Sequence, residues 1–191
     1  TLSNIILLSQ SRNVTVRACA VAKPQYEGGG GNGYGYTLSG SDCLLVDCNA
    51  FHTRHNYDFK SMWTSGNVIF RCITRDSHSA NDFHMHLSPA NLIDSMVVDG
   101  GLLEARYRPY GGIPLHGHST TESVFWNTWG TARCNQPVVV SQQWKWGYVI
   151  GTGGPVFGVK RGIWDNTAPE DFLEGEGQGE ALVPQSLYLD Q

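Results

Sequence analysis

Cys43-Leu-Leu-Val-Asp-Cys48, Asn67-Val-Ile-Phe-Arg-Cys72 and Asn91-Leu-Ile-Asp-Ser-Met96 are three versions of one short phrase, 24 residues apart when each is marked by its last residue. Two further versions flank them, Asn13-Val-Thr-Val-Arg-Ala-Cys19 upstream and Glu122-Ser-Val-Phe-Trp-Asn127 downstream, at steps of 29 and 31 residues. Equal steps bordered by longer ones are the spacing of stacked units of constant cross-section with loops inserted at a corner. A unit of roughly 20 to 30 residues that recurs without helical spacing marks a strand solenoid, because each coil buries its apolar face only against the next. The phrases mostly open on Asn and close on Cys or Met, residues suited to an inward-facing ladder. The expected fold is all-β, with parallel coils stacked over residues 1–150 and a Gly/Pro-rich tail over 151–191 packed along them.

Composition fits an exported β-protein. The chain has 23 Gly and 8 Pro among 191 residues, enough for many tight turns, and only 16% of its residues are charged. No apolar run is long enough to cross a bilayer. A net charge of −4 without a basic cluster argues against nucleic acid as a partner. The expected location is secreted or periplasmic. Cys19, Cys48 and Cys72 fall at equivalent places on successive coils and are expected to be packed thiols, which leaves Cys43 and Cys134 as a possible disulfide. Thr1 to Asn13 reads as strand and corner with no cap before it, so the chain is expected to be the carboxyl-terminal part of a longer protein, its open end covered by an upstream fragment or a second chain of the same precursor. A leading Thr also raises the option of a self-cleaved hydrolase with Thr1 as N-terminal nucleophile.

Runs such as Asn13-Val-Thr-Val-Arg-Ala-Cys19 and Asn67-Val-Ile-Phe-Arg-Cys72 resemble the coil signature of right-handed parallel β-helix proteins of the pectate-lyase-like class, over roughly residues 3 to 150. The resemblance implies a right-handed β-helix and a carbohydrate-active protein. The Gly-rich stretch Glu27–Gly33 lacks the Lys and helix of a phosphate cradle and reads as a corner lining a cleft.

Chemistry concentrates at one strand position. Aligning Asn67 with Asn91 sets Asp58 over Asp82, Phe59 over Phe83, Lys60 over His84 and Met62 over His86. Strand alternation then points Phe83, Met85 and Leu87 inward and Asp82, His84 and His86 outward. One coil earlier Tyr34 and Tyr36 align with Asp58 and Lys60, and one coil later His116 and His118 repeat the His-x-His spacing. The expected patch comprises these groups, with Arg106, Tyr107 and Arg108 on a neighbouring loop and Trp63 just beyond the strand.

Three chemistries fit such a patch. The first is β-elimination on an acidic or polar polysaccharide: His84 or His86 moves a proton, Arg106 or Lys60 neutralises a uronate carboxylate, Tyr36 or Tyr107 protonates the leaving oxygen, and Asp82 supports them. Tyr34, Tyr36, Asp58, Trp63, Arg108, His116 and His118 would bind the sugar chain. A glycoside hydrolase would instead use Asp58 and Asp82 as paired carboxylates. The second is a divalent metal site, zinc or calcium, held by His84, His86, His116 and His118. The third is noncatalytic, a carbohydrate-binding, adhesin or spike module, with the histidines as a polar ladder on a solvated face. His52, His55 and His78 read as ordinary corner residues, and Trp126, Trp129, Trp144, Trp146 and Trp164 as a cap over the end of the core.

Overall fold

The computed structural model describes residues 4–26, 30–110, 116–156, 158–161 and 171–191. Thr1, Glu27 to Gly29, Leu115 and Trp164 lie outside the described residues, and with them the nucleophile option, part of the Gly-rich corner and one of the late tryptophans.

The apolar centre of each phrase forms a short strand, and these strands stack in the register Val16, Leu45, Ile69, Ile93, Phe125, Val149, all pairs parallel. This second sheet holds Thr15–Arg17, Leu44–Val46, Val68–Phe70, Leu92–Asp94, Val124–Trp126, Tyr148–Ile150 and Phe172–Glu174. The first sheet holds Asn4–Arg12, Tyr34–Ser41, His55–Lys60, Asn81–Met85, Leu103–Arg106, Val139–Gln142 and Lys160–Arg161. The third holds Ala20–Ala22, Asn49–Phe51, Ile73–Arg75, Val97–Asp99 and Trp129–Gly130. Through Gly130 the chain visits the first, second and third sheets in that order, so sequential strands lie in different sheets and strands of one sheet come from successive circuits. Helix among the described residues is confined to a 3-10 turn at Gly179–Ala181. The molecule is therefore all-β and built from parallel sheets.

Sequence explains the corners. Asn13, Asp42, Ala90, Glu122 and Trp146, each two residues before a second-sheet strand, share φ between +47° and +57°. That left-handed bend is costly for residues with a Cβ, and each circuit offsets it by bonding to the next, as in Ala90 N to Thr121 O (3.0 Å) and Glu122 N to Lys145 O (3.1 Å). The Asn that opens the phrase has its own task. Asn67 Oδ1 accepts from Cys43 N, Asn91 Oδ1 from Asn67 N, and Ser123 Oγ from Asn91 N, at 3.0 to 3.1 Å. This side-chain ladder satisfies backbone donors that a buried corner would otherwise leave unpaired.

The core lies between the sheets. Cys48, Cys72 and Met96 are fully buried in one column, and Phe59 stacks on Phe83 with ring centroids 4.4 Å apart. The register Asp94 to Trp126 places Thr128, not Asn127, beneath Met96. All five cysteines are free thiols. Cys43 and Cys134 do not bridge: the Cys43 Sγ donates to Ser41 O and that of Cys134 to Val98 O, each at 3.2 Å. Among the described residues the expected aromatic cap is not formed, since Trp129, Trp144 and Trp146 remain 39–50% exposed. Parallel pairing continues past residue 150 through Lys160–Arg161 and Phe172–Glu174. The carboxyl-terminal segment returns to the second sheet, where buried Asp94 accepts from Ser186 Oγ (2.7 Å) and Tyr188 N (2.9 Å). Among the described residues no helix is long and apolar enough to cross a membrane.

Candidate functional site

Two irregularities in the first sheet build the site. The first lies at Gly35 and Asn56, between the pairs Tyr34 with His55 and Tyr36 with Tyr57, where the register holds but the side-chain alternation does not. Tyr36 and Tyr57 belong to the core, whereas Tyr34 and His55, two residues earlier, line a cleft. Strict alternation would put all four on one face, so the backbone turns over between them. A Cβ on Gly35 would sit 2.5 Å from the Asn56 carbonyl oxygen, and glycine is what admits that approach. The second is a bulge after Phe83: Asp82 pairs with Asp58 and Phe83 with Phe59, as the sequence indicates, but Met85 then pairs with Lys60.

These irregularities correct several expectations. Tyr36 points into the core and its hydroxyl donates to Cys19 O (2.8 Å), so it contributes nothing to a surface patch. Tyr34 aligns with His55 rather than Asp58. Lys60 does not sit over His84. Leu87, with φ +48°, is exposed rather than in the core, because the strand ends at Met85 and the turn that follows breaks alternation. His86 falls in that turn, off the strand that carries His84.

The cleft has a volume of about 510 Å³ and is lined by Tyr34, Arg54, His55, Ser79, Ala80, His84, Glu104, Arg108, Tyr110 and His116, together with Gly30 and Gly31. Of the expected residues, Tyr34, His84, Arg108 and His116 line it, and Asp58, Lys60 and Asp82 lie directly behind. Tyr107 and His118 form a separate aromatic group with Trp144, with ring centroids 4.8 and 4.3 Å apart. Arg106 pairs with Glu104 Oε2 at 2.9 Å, and Trp63 lines a different hollow beside Arg12 and Ser41. Arg54, His55 and Tyr110 are new to the site.

At its centre runs a line of three groups. Asp82 Oδ2 lies 3.1 Å from His84 Nδ1, and His84 Nε2 lies 3.3 Å from the Tyr34 hydroxyl. Arg108 Nη1 is also 3.2 Å from His84 Nδ1, but a guanidinium only donates, and it reaches the His84 carbonyl as well. A carboxylate only accepts, so Nδ1 carries the proton toward Asp82 and Nε2 offers its lone pair to Tyr34. His55 is fixed the same way: Nδ1 donates to Ala80 O at 2.7 Å, while its ring stacks on Tyr34 at 5.0 Å.

Charge is arranged behind these groups. Burial alone would raise the Asp82 carboxyl, but Arg108, His55 and His84 outweigh it and hold it well below the usual carboxylate range. Burial raises its neighbour Asp58 to about 6, against the pull of Lys60. Burial lowers His55, and it lowers His116 to about 4 with help from His84 and Arg108. The Tyr34 hydroxyl rises to about 12, chiefly through burial and then through Asp58. Burial would lower Arg108, but Asp82 and Glu104 outweigh it and keep the guanidinium charged.

The metal set His84, His86, His116 and His118 does not converge. Among the described residues the group with metal-ligand spacing is His55, Asp82 and His84, whose ligand atoms lie within 4.8 Å of one another. This trio does not suit an ion. Arg108 Nη2 is already bonded to Asp82 Oδ2, His84 Nδ1 faces the same oxygen, and His55 Nδ1 is committed to a carbonyl. The cation of the cluster is the guanidinium. The chain matches no family model, no curated protein and no solved structure.

Proposed function

We propose that this chain is a right-handed parallel β-helix of the pectate-lyase-like kind, exported to the periplasm or beyond, whose first-sheet cleft cleaves an acidic polysaccharide by β-elimination. The observation that carries this reading is the Asp82–His84–Tyr34 line opening into the cleft. His84 Nε2 removes the proton from the carbon beside a uronate carboxylate, and the electrons of that C–H bond form the new C=C bond. The bond from the adjacent carbon to the glycosidic oxygen breaks, and the Tyr34 hydroxyl supplies the proton the leaving oxygen needs. A phenol held near 12 is fully protonated at neutral pH and so is ready to donate. The proton gained by His84 then returns to Tyr34 across their 3.3 Å contact, which restores both groups. Asp82 fixes the tautomer and stabilises the transient imidazolium, and Arg108 keeps Asp82 ionised.

A hydrolase using Asp58 and Asp82 draws support from their pKa values, one raised to about 6 and the other well below normal. Position argues against it, because Tyr34 and His84 line the cleft whereas Asp58 and Asp82 do not, and Asp82 is already occupied by Arg108 and His84. Incubation with polymers of galacturonate, glucuronate, mannuronate and guluronate distinguishes the chemistries. Elimination yields an unsaturated product that absorbs in the ultraviolet, lost in Tyr34→Phe and His84→Ala. New reducing ends without absorbance would indicate hydrolysis, and retention of an intact polymer would indicate a binding module.

A further inference from the structure

Elimination beside a carboxylate needs a cation at that carboxylate, and the basic residues around the Tyr34–His84 pair differ sharply in whether they have charge to give. Arg108 is shared between Asp82 and Glu104, Arg106 is paired with Glu104, and Lys60 sits 3.8 Å from Asp58 with its ammonium over the Tyr34 ring. Arg54 stands apart: among the described residues it makes no ion pair with any carboxylate. Its side chain lines the cleft, and its one side-chain hydrogen bond among the described residues runs from Nη1 to the Tyr34 hydroxyl at 3.4 Å. Its backbone is held on both sides, Arg54 N donating to Gly33 O and Ser79 N donating to Arg54 O, each at 2.8 Å. A guanidinium has five N–H donors in a planar fork that matches a carboxylate. The position is therefore a fixed cation with unspent donors beside the proposed general acid.

We infer that Arg54 recognises the anionic group of the ligand and sets it against Tyr34 and His84. The inference rests on the elimination reading for the identity of that group, a uronate carboxylate. The geometry also suits a sulfate ester of a polysaccharide, and the test includes both.

The experiment measures binding rather than turnover, by calorimetry on the full chain carrying His84→Ala, so that the ligand stays intact. The probes are uronate hexasaccharides of the four sugars named above, their carboxyl-reduced neutral counterparts, and a sulfated neutral hexasaccharide. A charge-assisted contact of this kind corresponds to roughly a 10- to 100-fold change in affinity. The expected result is that at least one uronate hexamer binds about that much more tightly than its reduced counterpart, and that Arg54→Gln removes the difference between the charged and neutral hexamers. Arg54→Lys should recover only part of it, because a point charge replaces a fork. Preference for the sulfated probe, erased by Arg54→Gln, would retain Arg54 as the anion contact and overturn the uronate assignment. Uronate preference that survives Arg54→Gln, or no preference for any anionic probe, would overturn the inference. The two proposals fail separately: charge-dependent binding without an ultraviolet product removes elimination and keeps Arg54, whereas product formation unaffected by Arg54→Gln keeps elimination and removes Arg54.

Discussion

Asp82→Asn tests the electrostatics of the site with little change of shape. The substitution takes one charge from a buried cluster in which Arg108 binds both Asp82 and Glu104, at 2.6 and 2.9 Å to Glu104 Oε1. Breaking a buried pair by removing one partner costs about 3–5 kcal/mol, because the other charge is left without compensation. Arg108 keeps Glu104, so the expected loss lies near the lower end, about 3 kcal/mol, which for a chain of this size is a fall in Tm of about 6 to 12 °C. The sign with pH follows from the depressed carboxyl. A group whose folded pKa lies below its unfolded value of about 3.9 stabilises the fold fully above that pH and progressively less as pH falls through it toward the folded value. Wild type and Asp82→Asn should therefore differ most at neutral pH and converge as pH drops below about 4. Activity should fall further than stability: an Asn at this place no longer holds His84 in the Nδ1–H tautomer, an error worth on the order of 10⁴-fold in a comparable carboxylate–imidazole pair. Thermal unfolding from pH 3 to 8, with initial rates of ultraviolet product formation on the folded variant, gives both numbers. A variant as stable as wild type at pH 7, with less than a tenfold loss of rate, would refute this assignment of Asp82.

Asp58, with its carboxyl raised to about 6, should behave in the opposite sense: its stabilising protonated form persists below about pH 4 and is lost as pH rises through 6, so Asp58→Asn should gain about 3 kcal/mol over wild type between pH 4 and pH 8, read from denaturant midpoints. His116, lowered to about 4, should remain neutral at pH 5.5 in an NMR titration of the imidazole carbons, and a midpoint near the ordinary 6.5 would contradict its burial against His84 and Arg108. Because Arg108 takes the cation position among His55, Asp82 and His84, exhaustive chelation should leave the rate unchanged, and a loss restored by zinc or calcium would show that an ion displaces the guanidinium.

The inward half of this molecule is readable from its residues, and the cleft only in part. The phrases around Leu45, Ile69 and Ile93 are locked to a 24-residue step because each buries its centre against the next, so their register follows from the sequence alone. Asp82 and His84 are legible for a related reason: one alternating strand carries both, and Phe83 between them fixes which face is outward. Arg54 and His55 escaped because the first-sheet circuit before them is three residues shorter than that step, Tyr36 pairing with Tyr57, so a uniform shift misaligns Tyr34 and Tyr36. The likeness of Tyr34-Gly-Tyr-Thr-Leu38 to His55-Asn-Tyr-Asp-Phe59 carries the true register and would have placed His55 beside Tyr34. The turnover at Gly35 and the bulge after Phe83 have weaker signals, and they are what removed Tyr36 and His86 from the wall. Arg106 ends the strand Leu103–Arg106 and pairs with Glu104 rather than lying on a loop, and Tyr107 and His118 pack on each other and His118 on Trp144, contacts that spacing does not encode.

The central claim is that Tyr34 and His84 move protons as one unit. The most direct measurement compares the rates of Tyr34→Phe, His84→Ala and the double variant on the polymer that wild type cleaves. Groups that act as one unit give strongly non-additive losses, so the double variant should be scarcely slower than the worse single one. Losses that multiply, or a Tyr34→Phe variant that cleaves at the wild-type rate, would contradict it.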